Sequence, residues 1–99
     1  MCLRQKNLRP CSMARFNLEF SNKSFKEYLY WQNYDRKTSK KINKLLNELI
    51  RTPFDGEGKP EPLQSNLSGM WSRRINKKDQ LVYIVLKDRI QIIQMKYHY

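Results

Sequence analysis

Apolar and polar residues first alternate regularly over residues 16–20 (FNLEF), where Phe16, Leu18 and Phe20 share one face. A period of two predicts a strand. Ser21 is suited to cap a helix running to about Asn33. Phe25, Tyr28, Leu29 and Gln32 fall on one side of that helix, with Trp31 beside them. Helical spacing next to an apolar strand predicts a core role for these aromatics rather than a ligand platform. Asp35 is placed to cap a second helix, from Arg36 to about Arg51. Its Ile42, Leu45, Leu46, Leu49 and Ile50 follow the i, i+3, i+4, i+7, i+8 spacing of an amphipathic helix. The opposite face carries Arg36, Lys37, Lys40, Lys41 and Lys44. Such a run is either a solvated face or a phosphate-tracking one, and the pattern alone does not choose.

Periodicity stops at residues 52–62 (TPFDGEGKPEP), which hold three of the four prolines and two of the three glycines and therefore read as a loop. Pro60 and Pro62 flank Glu61 and stiffen the backbone that carries it. Three strand-like runs follow. Residues 70–76 (MWSRRIN) place Trp71, Arg73 and Ile75 on one face and Ser72 and Arg74 on the other. Residues 81–86 (LVYIVL) form the near-continuous apolar run of a central strand, and residues 90–97 (IQIIQMKY) alternate imperfectly. The connections, 77–79 and 87–89, are short enough for an antiparallel meander. The order β-α-α-β-β-β, with helices segregated from most strands, predicts an α+β domain.

Composition narrows the partners. At 99 residues the chain is sized for one domain, and 39% hydrophobic content suits a folded globule. No run is apolar and long enough for a membrane span. Residues 1–14 have no signal-peptide core and read as a flexible basic extension, with residues 15–99 as the folded domain and the cytoplasm as the expected location. Met13, just before the first strand, offers an alternative translation start. Cys2 and Cys11 both precede the patterned region, have no nearby histidine and are expected to carry no chemistry. The net charge of +11 concentrates polyanions, which makes nucleic acid or an acidic protein the expected partner. An acidic protein could also cover a nucleic-acid site.

Chemistry is sparse. His98, followed by the terminal Tyr99, is the single histidine. A lone histidine is commonly structural, but this one follows the last strand, and histidine is the side-chain type whose ordinary charge change falls near neutrality. Cleaving RNA through its own 2′-hydroxyl needs a base, an acid for the departing 5′ oxygen and cations for the phosphoryl group. Glu61 can serve as the base and His98 as the acid, with Arg73, Arg74, Lys77 and Lys78 as cations. Taken alone this set is common in basic proteins. There is no glycine-rich phosphate loop, clustered metal ligand set or nucleophilic triad, so no metal or cofactor is expected.

At these residues the sequence resembles the YoeB/Txe toxins, a branch of the RelE-like toxins of type II toxin–antitoxin systems. The likeness runs from about Phe16 to Tyr99 through YLYWQ (28–32), KKIN (40–43), RTPF (51–54), GKPEPL (58–63), NLSG (66–69), WSRRIN (71–76), LVY (81–83) and KYHY (96–99). It implies two helices packed on an antiparallel sheet and a ribosome-dependent endoribonuclease that cuts messenger RNA in the A site and stops translation. It also implies an antitoxin of the YefM/Axe type, and a tendency to dimerise. By resemblance Glu61 is the general base, His98 the general acid, Tyr99 a nucleotide-positioning residue and Arg74 a cation near the phosphate. Two positions depart from the family pattern: Gln80 stands where arginine usually precedes LVY, and Gln64 where lysine is common. Glutamine donates a hydrogen bond but brings no charge, so the expectation divides between an active toxin and a catalytically weakened relative that binds antitoxin or ribosome. A generic basic RNA-binding module would explain the charge but neither the PEP mount nor the KYHY terminus.

Overall fold

A computed structural model describes residues 16–63 and 69–96. The N-terminal extension with its cysteines, Gln64, His98 and Tyr99 lie outside the described residues. The elements run β1 (Asn17–Phe20), α1 (Asn22–Tyr34), α2 (Arg36–Leu49), β2 (Glu61–Pro62), β3 (Met70–Arg74), β4 (Gln80–Val85) and β5 (Arg89–Gln94). One five-stranded sheet has the order β1-β5-β4-β3-β2.

Both helices begin where capping chemistry predicts. The Ser21 side chain accepts from the Ser24 amide at 3.0 Å, and Asp35 accepts from the Thr38 amide at 3.1 Å and its hydroxyl at 2.8 Å. Each cap satisfies amides that the first helical turn leaves without partners. From α2, Ile42, Leu45, Leu46 and Leu49 enter a core with Trp31, Ile75, Leu81, Tyr83, Ile90, Ile92 and Met95. The Trp31 indole donates to the Met95 carbonyl at 2.9 Å, tying α1 to the end of β5. Ile42 is fully buried. Ile42→Val should therefore lower unfolding free energy by about 0.5–1.5 kcal/mol in a urea titration, leaving the slope unchanged.

The β3–β4–β5 meander is antiparallel as expected, whereas β1 joins β5 in parallel, pairing Leu18 with Ile90 and Phe20 with Ile92. The sheet is therefore mixed. No short turn ties β1 to its neighbour, and parallel pairing needs a long crossover, which the helices and remaining strands supply. The loop expected over 52–62 ends in a strand. Glu61 and Pro62 pair with Ser72 and Trp71, and the Leu63 amide donates to Met70 O at 2.8 Å. An edge position lets proline enter a sheet without forfeiting a ladder hydrogen bond.

One aromatic expected in the core is not there: Phe25 remains 49% exposed, and Leu29 on the same side of α1 is 42% exposed. Phe25 instead lines a groove of about 370 Å³ with Leu18, Phe20, Tyr28, Leu46 and Ile50. Helical spacing identified the apolar side of α1, and Trp31 and Tyr28 of that helix pack with the core while Phe25 and Leu29 stay exposed.

Candidate active site

Strand alternation sorts the candidate residues onto two faces. Trp71 and Arg73 of β3 point toward the helices, since the Arg73 guanidinium reaches Glu48 of α2 at 2.7 Å. Ser72 and Arg74 therefore point away from them. Glu61 lies directly opposite Ser72, and Gln80 directly opposite Arg74, so Glu61, Arg74 and Gln80 occupy the same face. Sheet geometry places Arg74 and Gln80 about 4.5–5.5 Å apart at Cβ, and Glu61 diagonally about 7–8 Å from Arg74. Glu61 and Arg74 are exposed and Gln80 half-buried.

Val82 faces Gln94 across the β4–β5 pair, so β5 ends beside the Gln80 end of β4. Lys96, two residues before His98, is the last described residue. Lys77 and Lys78 are exposed in the tight turn between β3 and β4, where the Asn76 side chain accepts from the Lys78 and Asp79 amides at 2.9 and 2.8 Å.

Arg73 does not belong with these cations. Its side chain is fully buried, so the expectation that it contacts phosphate is corrected. Nε donates to the Tyr83 hydroxyl at 3.3 Å; Nη1 donates to Glu48 and, at 3.2 Å, to Glu57 O; Nη2 donates to Thr52 O and, at 2.6 Å, to Asp55 O. A buried charge needs this degree of pairing. Glu48, Glu57 and Tyr83 were not among the residues singled out from sequence. The available signal was an arginine sharing a strand face with Trp71 and Ile75.

The loop approaching Glu61 is also held electrostatically. Glu57 pairs with Lys41 at 2.9 Å and Lys44 at 3.0 Å, and hydrogen bonds from these lysines hold its carboxyl below the ordinary range. Asp35 is lowered chiefly by the Thr38 amide, and Glu19 by hydrogen bonds from Gln91 and then Arg89. For each group the folded pKa lies beneath the unfolded one. Their stabilisation is complete above the unfolded value and is lost as pH falls through the folded value. Melting temperature should therefore be flat from neutrality to about pH 5 and fall below it. Glu57→Gln should lower the plateau and make the acid decline shallower. A parallel decline would remove Glu57 from this account.

Several solved toxin structures are similar to this chain. The YoeB/ParE toxin from Agrobacterium tumefaciens superposes with a TM-score of 0.82 at 41% identity, over 85% of this chain and 100% of that one. The YoeB of Staphylococcus aureus has been solved as a dimer (TM-score 0.79, 49% identity) and in a YoeB–YefM complex (0.77, 48%), each covering 87% of this chain and all of the other. Toxin YoeB of Escherichia coli K12 is 52% identical over 82 residues, 83% of this chain and 98% of that protein. A model of the YoeB-like toxins of bacterial type II toxin–antitoxin systems matches residues 20–99. The chain belongs to that family.

Proposed function

We propose that this protein is a ribosome-dependent endoribonuclease, the toxin of a type II pair, which cuts messenger RNA in the A site by metal-independent acid–base chemistry. The observation that carries this reading is the strand register that gathers Glu61, Arg74 and Gln80 on one face, at the end of the sheet from which the chain proceeds to His98. In this reading Glu61 removes the 2′ proton and the 2′ oxygen attacks the adjacent phosphorus. His98 protonates the departing 5′ oxygen, leaving a 2′,3′-cyclic phosphate on one fragment. Arg74 stabilises charge on the phosphoryl oxygens, Gln80 donates one hydrogen bond to them, and Lys77 and Lys78 hold flanking phosphates. Tyr99 positions the reacting nucleotide.

The basic chain suits the ribosome's polyanionic surface, and an antitoxin of the YefM/Axe type and a second copy of the chain are the protein partners. Among the described residues no helix is long and apolar enough to cross a membrane. In this reading the toxin domain spans residues 15–99 and follows a basic N-terminal stretch of sequence. Gln80 favours one second reading, a weakened toxin that binds its partners and cuts slowly. Induction from a tight promoter followed by primer extension separates the two: breaks within codons at arrest support the nuclease, and intact message with stalled translation supports the binder.

A further inference from the structure

The consecutive arginines of β3 have opposite surroundings, and the inward one reaches the loop that carries Glu61. Around the Arg73 guanidinium, the carbonyls of Thr52, Asp55 and Glu57 converge from a loop with no regular structure of its own. The Tyr83 hydroxyl, which accepts from Arg73, donates to Pro53 O at 2.7 Å. Burial pushes the Tyr83 phenol up, so it remains a neutral donor. Glu48 accepts from Arg73 and from the Glu57 amide at 2.8 Å.

The last anchor is Gly58. Its carbonyl accepts from the Arg74 amide at 2.6 Å, and its φ is +88°. A Cβ there would lie 3.1 Å from both Arg73 Cβ and Arg74 O. Three residues later comes Glu61, reached through Lys59 at φ 50° and then Pro60. Few soft torsions separate anchor from carboxylate.

We infer that Arg73 is a positioning residue for the cleavage reaction: by gathering residues 52–57 around one buried guanidinium, next to the Gly58 anchor on the Arg74 amide, it fixes where Glu61 stands relative to Arg74. It touches no substrate, because its side chain has no exposed surface. The inference rests on the endoribonuclease reading. It gives a reason for arginine in particular, since five donors in a planar fork meet acceptors that three rotatable ammonium donors cannot match in direction.

The test compares wild type, Arg73→Lys, Arg73→Met and Glu48→Gln, each below its melting temperature, by amide hydrogen exchange and by cleavage of message on programmed ribosomes. Arg73→Lys should speed exchange at residues 57–61 at least tenfold while β4 and β5 keep their protection. Its kcat per folded molecule should fall by about 10–100-fold, the scale of a small misplacement, with KM for ribosomes nearly unchanged. Arg73→Met should lose more, and Glu48→Gln, which keeps the arginine and an acceptor, should move both readouts less in the same direction. Should neither Arg73 variant fold, Glu48→Gln decides alone. Uniformly faster exchange with wild-type kcat would reduce Arg73 to a general stabilising role and overturn the inference, as would a loosened loop that cuts at the wild-type rate. An inert wild type would instead remove the nuclease reading and the catalytic half of the inference with it, and local loop exchange would still show whether Arg73 holds the segment.

Discussion

Replacing Glu61 with glutamine should slow cleavage of ribosome-bound message by about 10²–10⁴-fold, the usual contribution of a positioned general base. The substitution keeps size and hydrogen-bonding capacity but removes the proton acceptor. Glu61 is exposed on a two-residue edge strand, and its backbone partners across β3 do not depend on the carboxylate. Stability should therefore be little changed, and KM for ribosomes should stay close to wild type.

The second large effect runs the other way. Gln80→Arg should raise the cleavage rate, by up to about 10²–10³-fold if glutamine supplies little of what a charged donor provides. Gln80 lies opposite Arg74, so a new guanidinium would stand beside an existing one. Two like charges at that separation repel, and an incoming phosphate relieves the repulsion. The gain should therefore appear with RNA bound, accompanied by a small loss of stability in the free protein. Equal growth arrest and equal cleavage by wild type and Gln80→Arg would show that Gln80 is not limiting, with Arg74, Lys77 and Lys78 supplying enough charge.

Much of the scaffold was legible because local rules decide it. Ser21 and Asp35 announce helix starts through their own hydrogen bonds, and the heptad-like row from Ile42 to Leu49 specifies which side of α2 is buried. The short turns of the last three strands leave little choice but an antiparallel meander. What stayed hidden depends on partners distant in sequence. β1 is four residues long, and its parallel pairing with β5 is decided by how the two strands' core-facing residues meet beneath the helices. Phe25 has the spacing of a core residue, yet it sits at the groove beside Phe20 and stays exposed.

The candidate site divides in the same manner. The two prolines around Glu61 mark a stiff mount, and alternation within WSRRIN separates Arg73 from Arg74 onto opposite faces. Composition counts both as cations. Only the fold reveals that one faces Glu48 and the loop carbonyls while the other shares a face with Glu61. The resemblance located Glu61, Arg74 and Gln80 as a group, and their common face on β2, β3 and β4 supplies a physical reason for it. His98 and Tyr99 enter the same account through the expected chemistry.

The most direct measurement uses purified ribosomes carrying a defined message with an A-site codon in place. Wild type and Glu61→Gln are added in turn, and the 5′ ends of the fragments are mapped by primer extension. Wild type should cut within the A-site codon, and Glu61→Gln should do so at a rate lower by about 10²-fold or more. Intact message under saturating wild-type protein, or equal cutting by both proteins, would contradict the endoribonuclease reading.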